Sequence, residues 1–183
     1  MLENVIIVLR HKGMVGLIIA IYYDIKCRFF RKVLKKRYIL KRIYDYWMYL
    51  DTEDRGISRT LLLFGDREAD HKLIFEKAIR EGMTVLDLGA NIGYYVMMER
   101  NLVGRMGHII AVEPVPSNVK LLKRNVELNN IENIQILQMA GAGSDGTATM
   151  YMTKTSNHHT FHRKDAGFLS GETIEVETMT VPS

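Results

Sequence analysis

Residues Met83 to Glu113 constrain the fold more than any other stretch of the chain. Met83-Thr84-Val85-Leu86-Asp87-Leu88 is short and largely apolar with an acid near its end, the pattern of a buried strand. Gly89-Ala90-Asn91-Ile92-Gly93 then turns the chain into the helix-forming run Tyr94-Tyr95-Val96-Met97-Met98. Gly107-His108-Ile109-Ile110-Ala111-Val112-Glu113 supplies a second strand that also ends in an acid. A strand, glycine turn, helix and strand in this order pair their strands in parallel through a right-handed crossover. Ligands of such units bind beyond the carboxyl ends of the strands, where Asp87 and Glu113 both lie.

Each residue type in this unit has a physical reason. Gly89 and Gly93 allow a tight turn and a close approach of backbone to ligand, where a side chain would fill the ligand's space. Asn91 tolerates a left-handed backbone or donates from its amide. Glu113, twenty residues after Gly93, is placed like the acid that accepts hydrogen bonds from ribose hydroxyls. Asp87 holds the turn or faces a cationic group. The turn lacks the second glycine and the spacing of G-x-G-x-x-G, and no G-x-x-x-x-G-K-[ST] occurs, so nicotinamide and phosphate-loop chemistry are disfavoured. An acid before the turn repels a pyrophosphate and favours an ammonium or sulfonium. The cofactor expected is S-adenosylmethionine.

The blocks VLDLGANIGYY (Val85 to Tyr95), AVEPVPSN (Ala111 to Asn118), with Asn125 and Asn129 after it, and MAGAGSDG (Met139 to Gly146) resemble the FkbM-type methyltransferases, over roughly Tyr49 to Val181. The resemblance implies an α/β, Rossmann-like class I methyltransferase fold that methylates an oxygen of a sugar, polysaccharide or natural product. It assigns Asp87, Gly89, Asn91 and Gly93 to the cofactor loop, Glu113 to the ribose and Ala140 to the neighbourhood of the adenine. It also implies a further strand with a D-x-E-G-type motif, which this sequence lacks. The stretch from Met83 to Ser183 has room for about three strand–helix units, where a doubly wound sheet has about six strands. The sheet is therefore expected to be incomplete, its chain truncated, with an exposed apolar edge at the Asp87 strand through which copies could associate.

The expected division is a basic helical extension over 1–50 and the cofactor-binding portion of the methyltransferase domain over 51–183. Of 183 residues 47% are hydrophobic and 25% charged, an ordinary globular balance. The net charge of +4 is too small to imply a nucleic-acid partner by itself, so nucleic acid is not expected, and the resemblance implies a small-molecule or glycan acceptor. Its distribution is uneven: residues 1–60 carry 13 basic and 6 acidic side chains. Between Lys26 and Arg42 lie nine basic residues and no acidic one, which predicts a basic helix. Residues 1–42 could then pack on the neighbouring domain, lie on an anionic membrane surface or, least favoured, contact nucleic acid, and a non-catalytic membrane-surface or interaction module is the alternative function. Neither apolar run, 5–9 or 14–23, spans a bilayer, and the second has no small-residue cleavage site. With one cysteine, Cys27, this predicts a cytoplasmic protein, peripheral to the membrane if the arm binds one.

Local patterns complete the reading. Tyr44 to Tyr49 is an aromatic cluster expected in the core. Ile57 to Phe64 is expected as a strand, Glu68 to Glu81 as a helix stopping at Gly82, and Ile134 to Gln138 as a third strand. Asn118, Asn125 and Asn129 are expected as caps or solvated positions more than as functional ones. His158, His159 and His162 fall in a polar loop, where one could serve as a base, although no orienting partner is evident and the catalytic residue stays unassigned. H-H-x-x-H lacks the glutamate and helical setting of a zinc motif, so no metal is expected.

Overall fold

The computed structural model describes residues 2–153, 159–162 and 169–180. The chain forms two compact units, residues 1–67 and 68–183.

The first unit opens with α1 (Leu2–Lys32), kinked at Gly13, where the backbone leaves helical angles. The predicted basic helix ends early, at Lys32. Tyr38–Ile43 is instead strand β1, antiparallel to β2 (Tyr46–Asp51) across a turn with Tyr44 in the left-handed region. The run of Lys and Arg masks a period of two: Ile39 and Ile43 are buried while Leu40 and Arg42 point outward. The aromatic cluster divides in the same way. Tyr46 and Met48 are buried, but Trp47 on the opposite face stays 46% exposed.

Ile57–Phe64, expected as a strand, is helix α2. Its buried residues Ile57, Ser58, Leu61 and Leu62 fall one helical turn apart, and both ends carry helix signals. Asp54 accepts from the backbone N–H of Gly56 (2.7 Å) and Ser58 (2.8 Å), and Gly65 closes the helix in the left-handed conformation. Lys41 donates to the carbonyls of Leu61 (2.9 Å) and Leu62 (2.8 Å), tying β1 to the carboxyl end of α2. Desolvation lowers the pKa of this half-buried lysine to about 8.

The second unit begins with α3 (Ala69–Ala78), which ends when Ile79 turns extended, three residues before the glycine expected to stop it. Then follow β3 (Thr84–Leu88), α4 (Tyr94–Val103), β4 (His108–Val112), α5 (Pro116–Leu128) and β5 (Ile134–Leu137). The three strands form a parallel sheet in the order β3-β4-β5, with Asp87 opposite Ala111 and Ala111 opposite Ile136. This is the Rossmann-like α/β fold expected. Val96, Val103, Ile109, Ala111 and Leu122 are fully buried where helices meet sheet. Strand β3 is an edge strand among the described residues, and Leu88 is 50% exposed on it.

A second sheet follows, built from β6 (Ala140–Ala142), β7 (Gly146–Thr153) and β8 (Leu169–Thr180) in the order β6-β8-β7. Strand β8 pairs antiparallel with β7 and parallel with β6, placing Ala140 opposite Thr178. Among the described residues, no helix is long and apolar enough to cross a membrane.

Candidate cofactor site

The site is built around the carboxylate of Glu113, just past β4, which is only 4% exposed. It accepts from the backbone N–H of Asn91 (2.9 Å) and Val115 (3.0 Å) and from the side-chain amide of Asn118 (3.1 Å). Burial raises its pKa, and these three donors oppose that rise. An ionised carboxylate has about four acceptor positions, so the three donors leave room for a further hydroxyl. Asn91 sits at φ 50°, and its Oδ1 accepts from the N–H of Ile92 (2.9 Å). The N–H groups of Gly89 (2.8 Å) and Ala90 (3.0 Å) both donate to the Val112 carbonyl, binding the turn to the end of β4.

Asn118 and Asn125 of α5 do more than cap or face solvent, whereas Asn129 is a cap as expected, at the helix's carboxyl end. Asn118 holds Glu113, and fully buried Asn125 donates to the Ile92 carbonyl (2.9 Å) inside the turn. Asn129 in turn donates to the Asn125 carbonyl (2.7 Å). Their spacing of seven and four places them on one helix face, a signal present in the sequence.

The two turn glycines have different reasons. Gly89, at φ 85°, meets nothing within 4 Å where a Cβ would stand, so space remains open in front of it. Gly93, at φ 90°, would place a Cβ 2.6 Å from Leu122 Cδ1. Glycine is required there both by the left-handed backbone of the turn and by the packing of α5 on the loop.

Asp87, at the carboxyl end of β3, has its pKa pushed up to about 6 by burial and then by the charge of Glu113. Glu99 was not anticipated. This α4 residue is 3% exposed, and burial followed by the Asp87 charge pushes it up to about 8. Asp87 Oδ2 and Glu99 Oε2 are both buried without a hydrogen-bond partner. Of the two, Glu99 is pushed further toward its protonated form, because it is buried and faces the Asp87 charge. The signal for Glu99 was its position between Val96 and Val103, at helical spacing on the buried stripe.

Beside the turn opens a cavity of about 420 Å³, walled by Leu88, Gly89, Val112, Pro114, Met139 and Ala140, with Phe161 at its margin. Ala140 is thus brought to the same space as Gly89. Of the three histidines, His159 accepts from the Thr153 N–H (3.0 Å) through Nδ1, and the backbone of His162 donates to Thr160 Oγ1 (3.0 Å). His158 lies outside the described residues. Among the described residues no group of three metal-ligating side chains occurs.

These features fit S-adenosylmethionine. Apolar walls suit an adenine, the spare acceptor position on Glu113 suits a ribose hydroxyl, and the unpartnered Asp87 oxygen suits a cationic group. Fold and site together are those of a class I methyltransferase domain with a site that fits S-adenosylmethionine. The chain belongs to the TRM5/TYW2 methyltransferase domain family, whose family model matches residues 57–161. It is 37% identical over 59 residues to a protein-L-isoaspartate O-methyltransferase of Methanothrix thermoacetophila, covering 32% of this chain and 28% of that protein. Among solved structures it is similar to TYW2 of M. jannaschii in complex with AdoMet, at 19% identity and TM-score 0.45 over 55% of this chain and 42% of that one. Another is the complex of aTrm5 and tRNALeu, at 21% identity and TM-score 0.43 over 55% of this chain and 28% of that one. The chain spans less than a third of the length of the curated relatives it first matches.

Two sequence expectations are corrected here. The family is TRM5/TYW2, not FkbM, and the sugar or natural-product acceptor falls with the resemblance that implied it. The quoted blocks build the cofactor turn and the ribose acid, which methyltransferases of many acceptors need alike, so they do not discriminate among them. The argument against nucleic acid also fails, because Trm5, for which the family is named, has been solved with a tRNA. A whole-chain charge of +4 averages a basic first 60 residues with a mildly acidic remainder, so it says nothing about any local surface.

Proposed function

We propose that this chain is an RNA methyltransferase that transfers the methyl group of S-adenosylmethionine to a tRNA. The observation that carries the reading is the family match over 57–161, which contains the Asp87–Glu113 site. When bound, the cofactor supplies a methyl on a positively charged sulfur. Glu113 would accept from a ribose hydroxyl, while the Asn91 and Val115 N–H groups and the Asn118 amide keep its carboxylate oriented. Asp87 would face the cofactor's cationic end, and Gly89 with Ala140 would flank the adenine. Asn91 and Gly93 shape the loop that presents these groups, and the apolar walls exclude water from the reacting end.

Transfer of tritiated methyl from the cofactor to unfractionated tRNA tests the reading, with a synthetic isoaspartyl peptide as the competing acceptor. Label is expected in the tRNA and lost in Glu113→Ala. Label in the peptide and none in tRNA would replace the RNA reading with carboxyl methylation.

A further inference from the structure

The outer face of the β1–β2 hairpin has no part in the cofactor site, yet it is built for contact. Tyr38, Leu40 and Arg42 on β1 stand opposite Asp51, Tyr49 and Trp47 on β2. The inner face, with Ile39, Ile43, Met48 and Leu50, is buried, so the fold does not need the outer residues for its core. Leu40 is 43% and Trp47 46% exposed, Arg42 is exposed beside Trp47, and Tyr44 rises at the turn, 38% exposed. An arginine registered beside an exposed indole on a two-stranded surface offers a stacking ring and a phosphate ligand within one contact area.

Charge selects the occupant. The nine basic residues from Lys26 to Arg42 include no acid, and they lead into and through β1. Of the acids on the hairpin and just after it, Asp51 pairs with Arg37 at 2.7 Å and Glu53 lies 3.5 Å from the same guanidinium, while Asp45 stands exposed in the turn between Tyr44 and Tyr46. Arg37 also stands over the Tyr38 ring, 5.7 Å from its centroid. We infer that this hairpin face binds single-stranded RNA, with bases stacking on Trp47 and neighbouring rings and phosphates held by Arg42 and the preceding basic run. The inference rests on the reading of the chain as an RNA methyltransferase and adds where the substrate is gripped.

Trp47 is the chain's sole tryptophan, so its fluorescence reports the platform directly. Titrating the full chain with a short single-stranded oligoadenylate should quench it. A fluorescein-labelled copy of the same oligonucleotide should bind Trp47→Ala about tenfold more weakly by anisotropy. Arg42→Ala should lower the salt dependence of log affinity by ~1. Both variants should keep the far-ultraviolet circular dichroism and S-adenosylmethionine affinity of the parent. Absence of quenching, or unchanged binding by Trp47→Ala, overturns the inference. So does a blue shift of Trp47 with phosphatidylglycerol vesicles but no response to RNA, which assigns the face to lipid. Oligoadenylate binding without tRNA methylation would retain the platform and remove the substrate reading. Undiminished tRNA methylation by both variants would do the reverse.

Discussion

Glu99 makes a quantitative prediction. Its carboxyl has a pKa near 4.5 in the unfolded chain and about 8 in the fold, raised by burial and then by Asp87. Below the lower value both states are protonated and the residue is neutral to stability. Between the two values the folded state holds a proton that the unfolded state has released, so stability falls as pH rises through this window. Full conversion gives ~5 kcal/mol above pH 8, and relaxation around a buried charge reduces that to roughly 2–4 kcal/mol. Glu99→Gln keeps the shape and removes the titration. Asp87 and Glu113, the other acids of the cluster, are present in both proteins and largely cancel in the comparison. Urea unfolding followed by far-ultraviolet circular dichroism should give a gap in the variant's favour below about 1 kcal/mol near pH 5, widening to roughly 2–4 kcal/mol near pH 8.5. Tryptophan emission is unsuited, since Trp47 lies in the other unit. Parallel pH profiles for the two proteins would refute a buried, proton-holding Glu99.

Gly93→Ala should lose roughly 2–4 kcal/mol in the same measurement, because it combines a left-handed backbone with a Cβ 2.6 Å from Leu122. Gly89→Ala, with the same backbone hand but open space, should lose only about 1–2 kcal/mol and show its larger effect in cofactor affinity. Asn125→Ala leaves the Ile92 carbonyl without its buried donor and should cost about 1–3 kcal/mol by thermal or urea unfolding. Glu113→Gln keeps the shape but replaces the charged acceptor, and isothermal titration should show S-adenosylmethionine binding at least about tenfold weaker.

The parallel unit was legible because each of its signals is local: an apolar run, a glycine turn and an acid at a fixed distance. Helix α2 was misread because ISRTLLLF is apolar enough for either structure. The deciding residues were Asp54 before it and Gly65 after it, which act as caps. The hairpin was hidden for a different reason. Lysine and arginine dominate residues 26–42 so strongly that the alternation of Ile39 and Ile43 with Leu40 and Arg42 passes for part of a basic helix. In the site, Glu113 and its turn could be anticipated from spacing, but Glu99 and the asparagine contacts depend on which helix face meets which loop. The family was obscured because the readable blocks build the cofactor turn, a feature methyltransferases of many acceptors share.

The parallel pairing of β6 with β8 places one wall of the cofactor cavity under remote control. Ala140 owes its position to Thr178, and it shares a small apolar cluster with Val115, Met150 and Val176. Ligand affinity at the turn is therefore sensitive to a strand that contributes no residue to the cavity lining. A conservative change in β8, such as Val176→Ala, would loosen the packing around Ala140, Met150 and Val115 on that side of the cavity.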